Sequence, residues 1–210
     1  MSEYTEQEAC APVALDANHF NQFVELPHGL DIHHIYIAMD DFLTFLGFVN
    51  NQLHTKQIER LESMLMPANF SSIVGEFMSS TIPKYCSTIV KNRYHNGHPD
   101  LIPASMFPDD AVQHAPHGIE IKASRYVRGW QGHNPEDVWL MVFVFDSNRP
   151  KDVAPHPFQF VKVVGAQLTK DDWNFSGRSA TSRRTITASV TESGYQKMMA
   201  NWIYLSSGLE

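Results

Sequence analysis

Three observations predict an α/β fold, with a central mixed β-sheet flanked by helices. Helical periodicity fills residues 34–65, a run apolar on both faces follows at 138–145, and a second periodic stretch returns at 192–199. Helices first, a sheet in the middle and a helix late is the order of a layered α/β domain. With 210 residues, 43% of them hydrophobic and 19% charged, the chain is long enough for a full core and fits one domain, 1–210.

Residues 1–33 scatter Pro, Asn, Asp and Gly with weak periodicity and read as an irregular N-terminal arm. The segment 34–69 reads as helical, because Met39, Phe42, Leu43, Leu46, Val49, Leu53, Ile58 and Leu61 recur at threes and fours. Asp31 is its expected cap and Pro67 its expected stop. A second helix should start near Ser71 or Ser72, bury Ile73, Val74, Phe77 and Met78, and be kinked or divided by Pro83.

Leu101-Ile102 and Gly118–Ser124 then read as two strands joined by a long turn. Val138–Phe145, apolar throughout and bounded by Asn134-Pro135 and Asp146-Ser147-Asn148, has the pattern of a central strand. Phe158–Leu168 and Thr185–Val190 are two more strands, and Glu192–Met199 a helix leading to Trp202-Ile203-Tyr204. Residues 70–205 would thus form the core of the domain.

Cys10 and Cys86 are far apart and lack CxxC spacing, which excludes a disulfide framework and a thiolate zinc site and fits a reducing cytoplasm. The opening MSEYTEQEAC has no basic patch followed by an apolar stretch, and no membrane span is expected. The net charge of −7 is uneven. Residues 1–62 hold ten acids against Lys56 and Arg60, whereas 84–184 hold thirteen Lys or Arg against ten acids. A local cationic surface is compatible with an acidic whole.

Glu120-Ile121-Lys122 carries the chemistry. Side chains alternate along a strand, so Glu120 and Lys122 share one face while Ile119, Ile121 and Ala123 take the other. Of eight lysines, only Lys122 has an acid two positions earlier. Pro99-Asp100 precedes it on the neighbouring candidate strand. Two carboxylates and a carbonyl can hold a magnesium ion that keeps several waters, and a lysine beside them can orient or help deprotonate an attacking water. The alternative is a solvated same-face ion pair, worth little energetically. Pro108-Asp109 also precedes Glu120, but MFPDDAVQHAP reads as a loop, whereas Asp100 leads into a strand.

Taken together, Pro99-Asp100 and Glu120-Ile121-Lys122 resemble the signature of the PD-(D/E)XK nuclease superfamily, and the remainder resembles the type II restriction endonucleases in general pattern. The resemblance covers about Glu76 to Tyr204, with NGHPDLIP, GIEIKASR, GWQGHNPEDVWLMVF and SGRSATSRRT as its blocks. It implies a restriction-endonuclease-like core that cuts double-stranded DNA as a homodimer with Mg2+, Mn2+ being the expected substitute. Metal binding carries over to Asp100, Glu120 and the Ile121 carbonyl, and a water-orienting role to Lys122.

Glu76 is a further candidate ligand, because many members place a glutamate on the preceding helix. A first-turn acid favoured by the helix dipole is its other reading. Candidate DNA contacts are Arg125, Arg128, Gln131, His133 and Asn134 after the lysine, and Arg178, Ser182, Arg183 and Arg184 in the later basic loop; each also reads as a solvated loop residue. His95-x-x-His98 and His114-x-x-His117 lack the spacing and partners of a zinc hydrolase and read as loop histidines. A repair, recombination or phage nuclease, or a non-catalytic DNA-binding or assembly protein on the same scaffold, is the alternative.

Overall fold

The computed structural model describes residues 4–132, 135–175 and 188–207. In chain order the helices are α1 (Glu6–Ala9), α2 (Ile32–Thr55), α3 (Leu61–Met64), α4 (Pro67–Tyr85) and α5 (Glu192–Ala200). The strands are β1 (Ile89–Lys91), β2 (Leu101–Pro103), β3 (Ile119–Ser124), β4 (Gln131–Gly132), β5 (Val138–Asp146), β6 (Gln159–Leu168), β7 (Trp173–Phe175), β8 (Ala188–Val190) and β9 (Trp202–Leu205).

Six strands form one mixed sheet in the order β1-β2-β3-β5-β6-β9. The first three make an antiparallel meander, β3 and β5 are parallel, and β6 and β9 are again antiparallel to their neighbours. A parallel pair needs a crossover, which is usually a helix. Here the crossover carries β4 instead, which joins β8 and β7 in a small second sheet.

Strand β5 behaves as its sequence predicts. Trp139, Met141, Phe143 and Phe145 belong to the core beneath α2 and α4, while Val138, Leu140, Val142 and Val144 belong to the opposite core beneath α5 and the small sheet. Phe158 is fully buried among the rings of Phe42, Phe70, Phe145 and Phe160. Truncating so enclosed a ring to Ala costs about 3–5 kcal/mol.

Several boundaries differ from expectation, each for a local reason. The helix expected over 34–69 is divided among α2, α3 and the first turn of α4. α2 starts where Asp31 accepts from the His33 N–H and ends at Thr55, after which Gln57 takes a left-handed φ of 58°. Pro67 does not stop a helix but opens α4 at its first position, where the missing N–H costs nothing. Pro83 lies in the last turn of α4, so it neither divides nor interrupts the helix body.

The described part of the arm, residues 4–31, is largely irregular but anchored to the rest of the fold. Thr5 caps α1 in a capping box, the Val13 N–H donates to the Phe158 carbonyl, and Phe20 bridges Tyr204 beside β9. By length and composition α2 is apolar enough to cross a membrane, the one such helix among the described residues. Its residues Ile35, Ala38, Met39, Phe42, Leu43 and Leu46 form part of the core instead.

Where β2 meets β3, Gly118 has a φ of +142°, a region that side chains rarely adopt. A β-carbon there would lie 2.2 Å from the Leu101 carbonyl oxygen and 2.4 Å from Pro99.

Candidate active site

The pairing of β2 with β3 is antiparallel with Leu101 opposite Ile119, which sets Asp100, one residue before β2, opposite Glu120. Ile119 and Ile121 are buried in the core, and Ala123 packs against it. Glu120 and Lys122 emerge on the other face, as alternation requires. The Ile121 N–H donates to Asp100 Oδ2 at 2.9 Å, a side-chain bond where the sheet would offer Pro99. A strand residue's N–H and C=O point to the same side, so the Ile121 carbonyl faces Asp100 as well.

Lys122 Nζ donates to Glu120 Oε1 in a short contact. Asp100, Ile121 and Lys122 open onto a cavity of about 230 Å3 whose other wall is α4, with Ser72, Gly75 and Glu76. Glu76 is not a first-turn acid, because α4 begins at Pro67. It faces this cavity and pairs with Lys91 Nζ at 2.7 Å. Asp109 sits on an exposed turn with a φ of 56° and does not line the cavity.

Two further residues complete the cluster: His98, read from the sequence only as a loop histidine, and Glu136, which was not singled out. His98 Nδ1 is 3.0 Å from Glu120 Oε2, and His98 Nε2 is 2.8 Å from Glu136 Oε2. The ring also stacks on His114, with centroids 5.3 Å apart. His98 lies outside β2, so strand alternation gave no signal for it. Glu136 reaches the site only through the parallel pairing of β3 and β5, which no local pattern encodes.

The electrostatics follow from three acids sharing a half-buried space with two bases. Burial, and then the Glu120 charge, push the Asp100 carboxyl well above its usual range, against the Ile121 N–H and Lys122. Burial works against the ionised Glu120, but the His98 hydrogen bond and the Lys122 charge outweigh it and hold that carboxyl low. Burial likewise opposes a charged His98, yet Glu120 and Glu136 push its pKa up to about 9. For Lys122 burial is again outweighed, chiefly by Glu120, and the ammonium becomes harder to deprotonate.

The donor set fits magnesium in kind. Among the described residues, no three His, Cys, Asp or Glu side chains converge tightly enough to hold an ion alone. Magnesium does not ask for that, since one or two carboxylates and several waters usually suffice. Asp100, Glu120 and the Ile121 carbonyl are hard oxygen donors, and the strain between two adjacent buried carboxylates is what a divalent cation would relieve.

The proposed DNA contacts divide. Arg125 is turned inward: its Nη1 donates to the Ser147 and Asn148 carbonyls at 2.7 and 2.9 Å and to Ser147 Oγ, while its guanidinium lies over Phe70 and Phe145. Arg128 is exposed, and Gln131 is exposed on β4. His133, Asn134, Arg178, Ser182, Arg183 and Arg184 lie outside the described residues. No protein-family model matches the chain, and no curated protein matches it.

Proposed function

We propose that this protein is a magnesium-dependent endonuclease hydrolysing phosphodiester bonds of double-stranded DNA, of the type II restriction kind and acting as a homodimer. The observation that carries this reading is the convergence of Asp100, Ile121 and Lys122 on one cavity, with Glu120 held between Lys122 and His98. Asp100, Glu120 and the Ile121 carbonyl would hold the metal, with Glu76 across the cavity as a further ligand. When bound, the ion supplies charge neutralisation for the phosphoryl group and acidifies a bound water.

The chain's own residues do the rest. The acid neighbours of Lys122 outweigh burial and make its ammonium harder to deprotonate. Lys122 would orient or help deprotonate the attacking water and, while protonated, counter developing negative charge. His98, bridging Glu120 and Glu136, fixes the orientation of the Glu120 carboxylate.

Incubating the protein with plasmid DNA and Mg2+ tests the reading. We expect nicking or linearisation that chelation abolishes and that Asp100→Ala and Lys122→Ala both lose. Metal-independent binding without cleavage would overturn it. One observation favours the second reading, a non-catalytic DNA-binding or assembly protein: both Glu120 oxygens already have cationic partners. Calorimetric titration with Mg2+ separates the two, since a purely structural cluster takes up no ion at the site.

A further inference from the structure

A second opening shares Ser71, Ser72, Lys122 and Ala123 with the acidic cavity, and the two run together along β3 and α4. It encloses about 880 Å3. Its charged lining is Lys122, Arg125, Arg128 and Arg149, and no described Asp or Glu contributes to it. Along β3 the charge therefore changes sign: Asp100, Glu120 and Glu136 gather at the start of the strand, and every cation of the groove lies from Lys122 onward.

Lys122 is paired with Glu120, but the three arginines are poorly neutralised. Burial first, and then the positive charge of Arg149, make the Arg125 guanidinium less basic, and its Nε and Nη2 are buried without a hydrogen-bond partner. Arg128 lies 5.2 Å above the Tyr195 ring and 3.9 Å from Glu192, both carboxylate and guanidinium being two-thirds exposed, which makes that pair weak. Arg149 is exposed, and Tyr126, which also lines the groove, is 69% exposed. A groove with like charges crowded together and an open aromatic edge is built for a polyanion with flat groups attached.

We infer that this groove holds the phosphodiester backbone of the nucleic acid on one side of the reacting bond, with Arg128 and Arg149 as phosphate contacts and Arg125 supplying charge from the floor. The inference rests on the nuclease reading for its chemistry but not for its test. The strand would leave the acidic cavity in one direction only, past the C-terminal end of β3. Arg149 was not distinguishable as a contact in the sequence, because it follows β5 and reaches the groove through the packing of that loop.

Binding of a fluorescein-labelled duplex oligonucleotide is measured in EDTA by anisotropy across a salt series, with inorganic phosphate as competitor. Arg128→Ala and Arg149→Ala should each weaken binding about tenfold and lower the slope of log affinity against log salt by about one. Lys84→Ala, an exposed cation at the far end of α4, should change neither. Thermal melts of each variant confirm that it folds.

Unchanged affinity in both arginine variants overturns the inference, as does an equal loss in Lys84→Ala, which would mean diffuse attraction. Competition by millimolar phosphate as strong as that by unlabelled duplex also overturns it, since it would mark a site for a single phosphate. Plasmid cleavage is scored separately. Loss of binding in the arginine variants of a protein that does not cut keeps the groove and removes the nuclease reading; cutting with unaffected variants does the reverse.

Discussion

The buried charged clusters around Arg60 and around Asp100 and Glu120 are built on opposite principles. Around Arg60, which is 3% exposed, every group has a partner. Its Nε donates to Glu6 at 3.0 Å, Nη1 to Glu62 at 2.8 Å, and Nη2 to Asn148 Oδ1 at 2.6 Å. Glu62 in turn accepts from Asn50 Nδ2, and Asn50 Oδ1 accepts from the Leu61 N–H. The Asp100–Glu120 cluster has three acids to two bases and opens onto a cavity.

Burial of charge does not by itself separate these two. Nor does size, since the hollow beside Arg60 is about 630 Å3 against about 230 Å3 at the acidic site. The difference is satisfaction: a closed network stabilises the segments that it joins, whereas an acid surplus is held against its own repulsion by the surrounding fold.

If that contrast is right, the two clusters should fail in different ways. The largest effect is on activity: Asp100→Asn and Lys122→Ala should each lower Mg2+-dependent DNA cleavage about a thousandfold or more. Asp100→Asn should melt no lower than wild type, because it keeps an acceptor for the Ile121 N–H and removes the repulsion with Glu120. A melting loss parallel to the activity loss would erase the distinction.

Next, Glu62→Ala strands Arg60 in the interior and should cost about 3 kcal/mol by denaturant unfolding, with cleavage per folded molecule retained. A cost below about 1 kcal/mol would mean that water reaches Arg60 and the network is not closed.

A smaller effect is on pH. His98 has a folded-state pKa of about 9, above its ordinary 6.5, so its contribution is fully present below 6.5 and lost as pH rises through 9. The raised Asp100 carboxyl acts in the same direction at lower pH. Metal-free protein should therefore lose on the order of 2 kcal/mol between pH 6 and pH 9.5, measured by denaturant unfolding, and His98→Gln should flatten the profile. A profile equally steep in His98→Gln would assign the loss elsewhere. Smallest of all, Asp109→Ala should change cleavage less than twofold and stability by under about 0.5 kcal/mol.

What the sequence disclosed follows the range of the interactions. Glu120, Lys122 and their buried counterparts Ile119 and Ile121 were readable because alternation is a property of one strand. Asp100 was readable because two strands joined by a turn are neighbours, and β5 because its apolar run is continuous. The arm is irregular in its described residues, but its anchoring was not legible, because the contacts that hold it, to Phe158 and Tyr204, lie more than a hundred residues away. The same applies to Glu136 and to the ending of α2, where Gln57 reverses the backbone and Arg60 is drawn into its network. The restriction-endonuclease-like character of the sheet remains part of the functional proposal; its mixed α/β organisation is a property of the fold.

The bare α-carbon of Gly118 gives the site an Achilles heel that involves no charge at all. A single methyl group at that position would wedge Leu101 and Pro99 away from β3, and the Asp100 carboxylate would lose its reach to the Ile121 N–H. The acidic cluster could thus be silenced with all five of its ionisable side chains in place, by a substitution that most sequence comparisons would score as conservative.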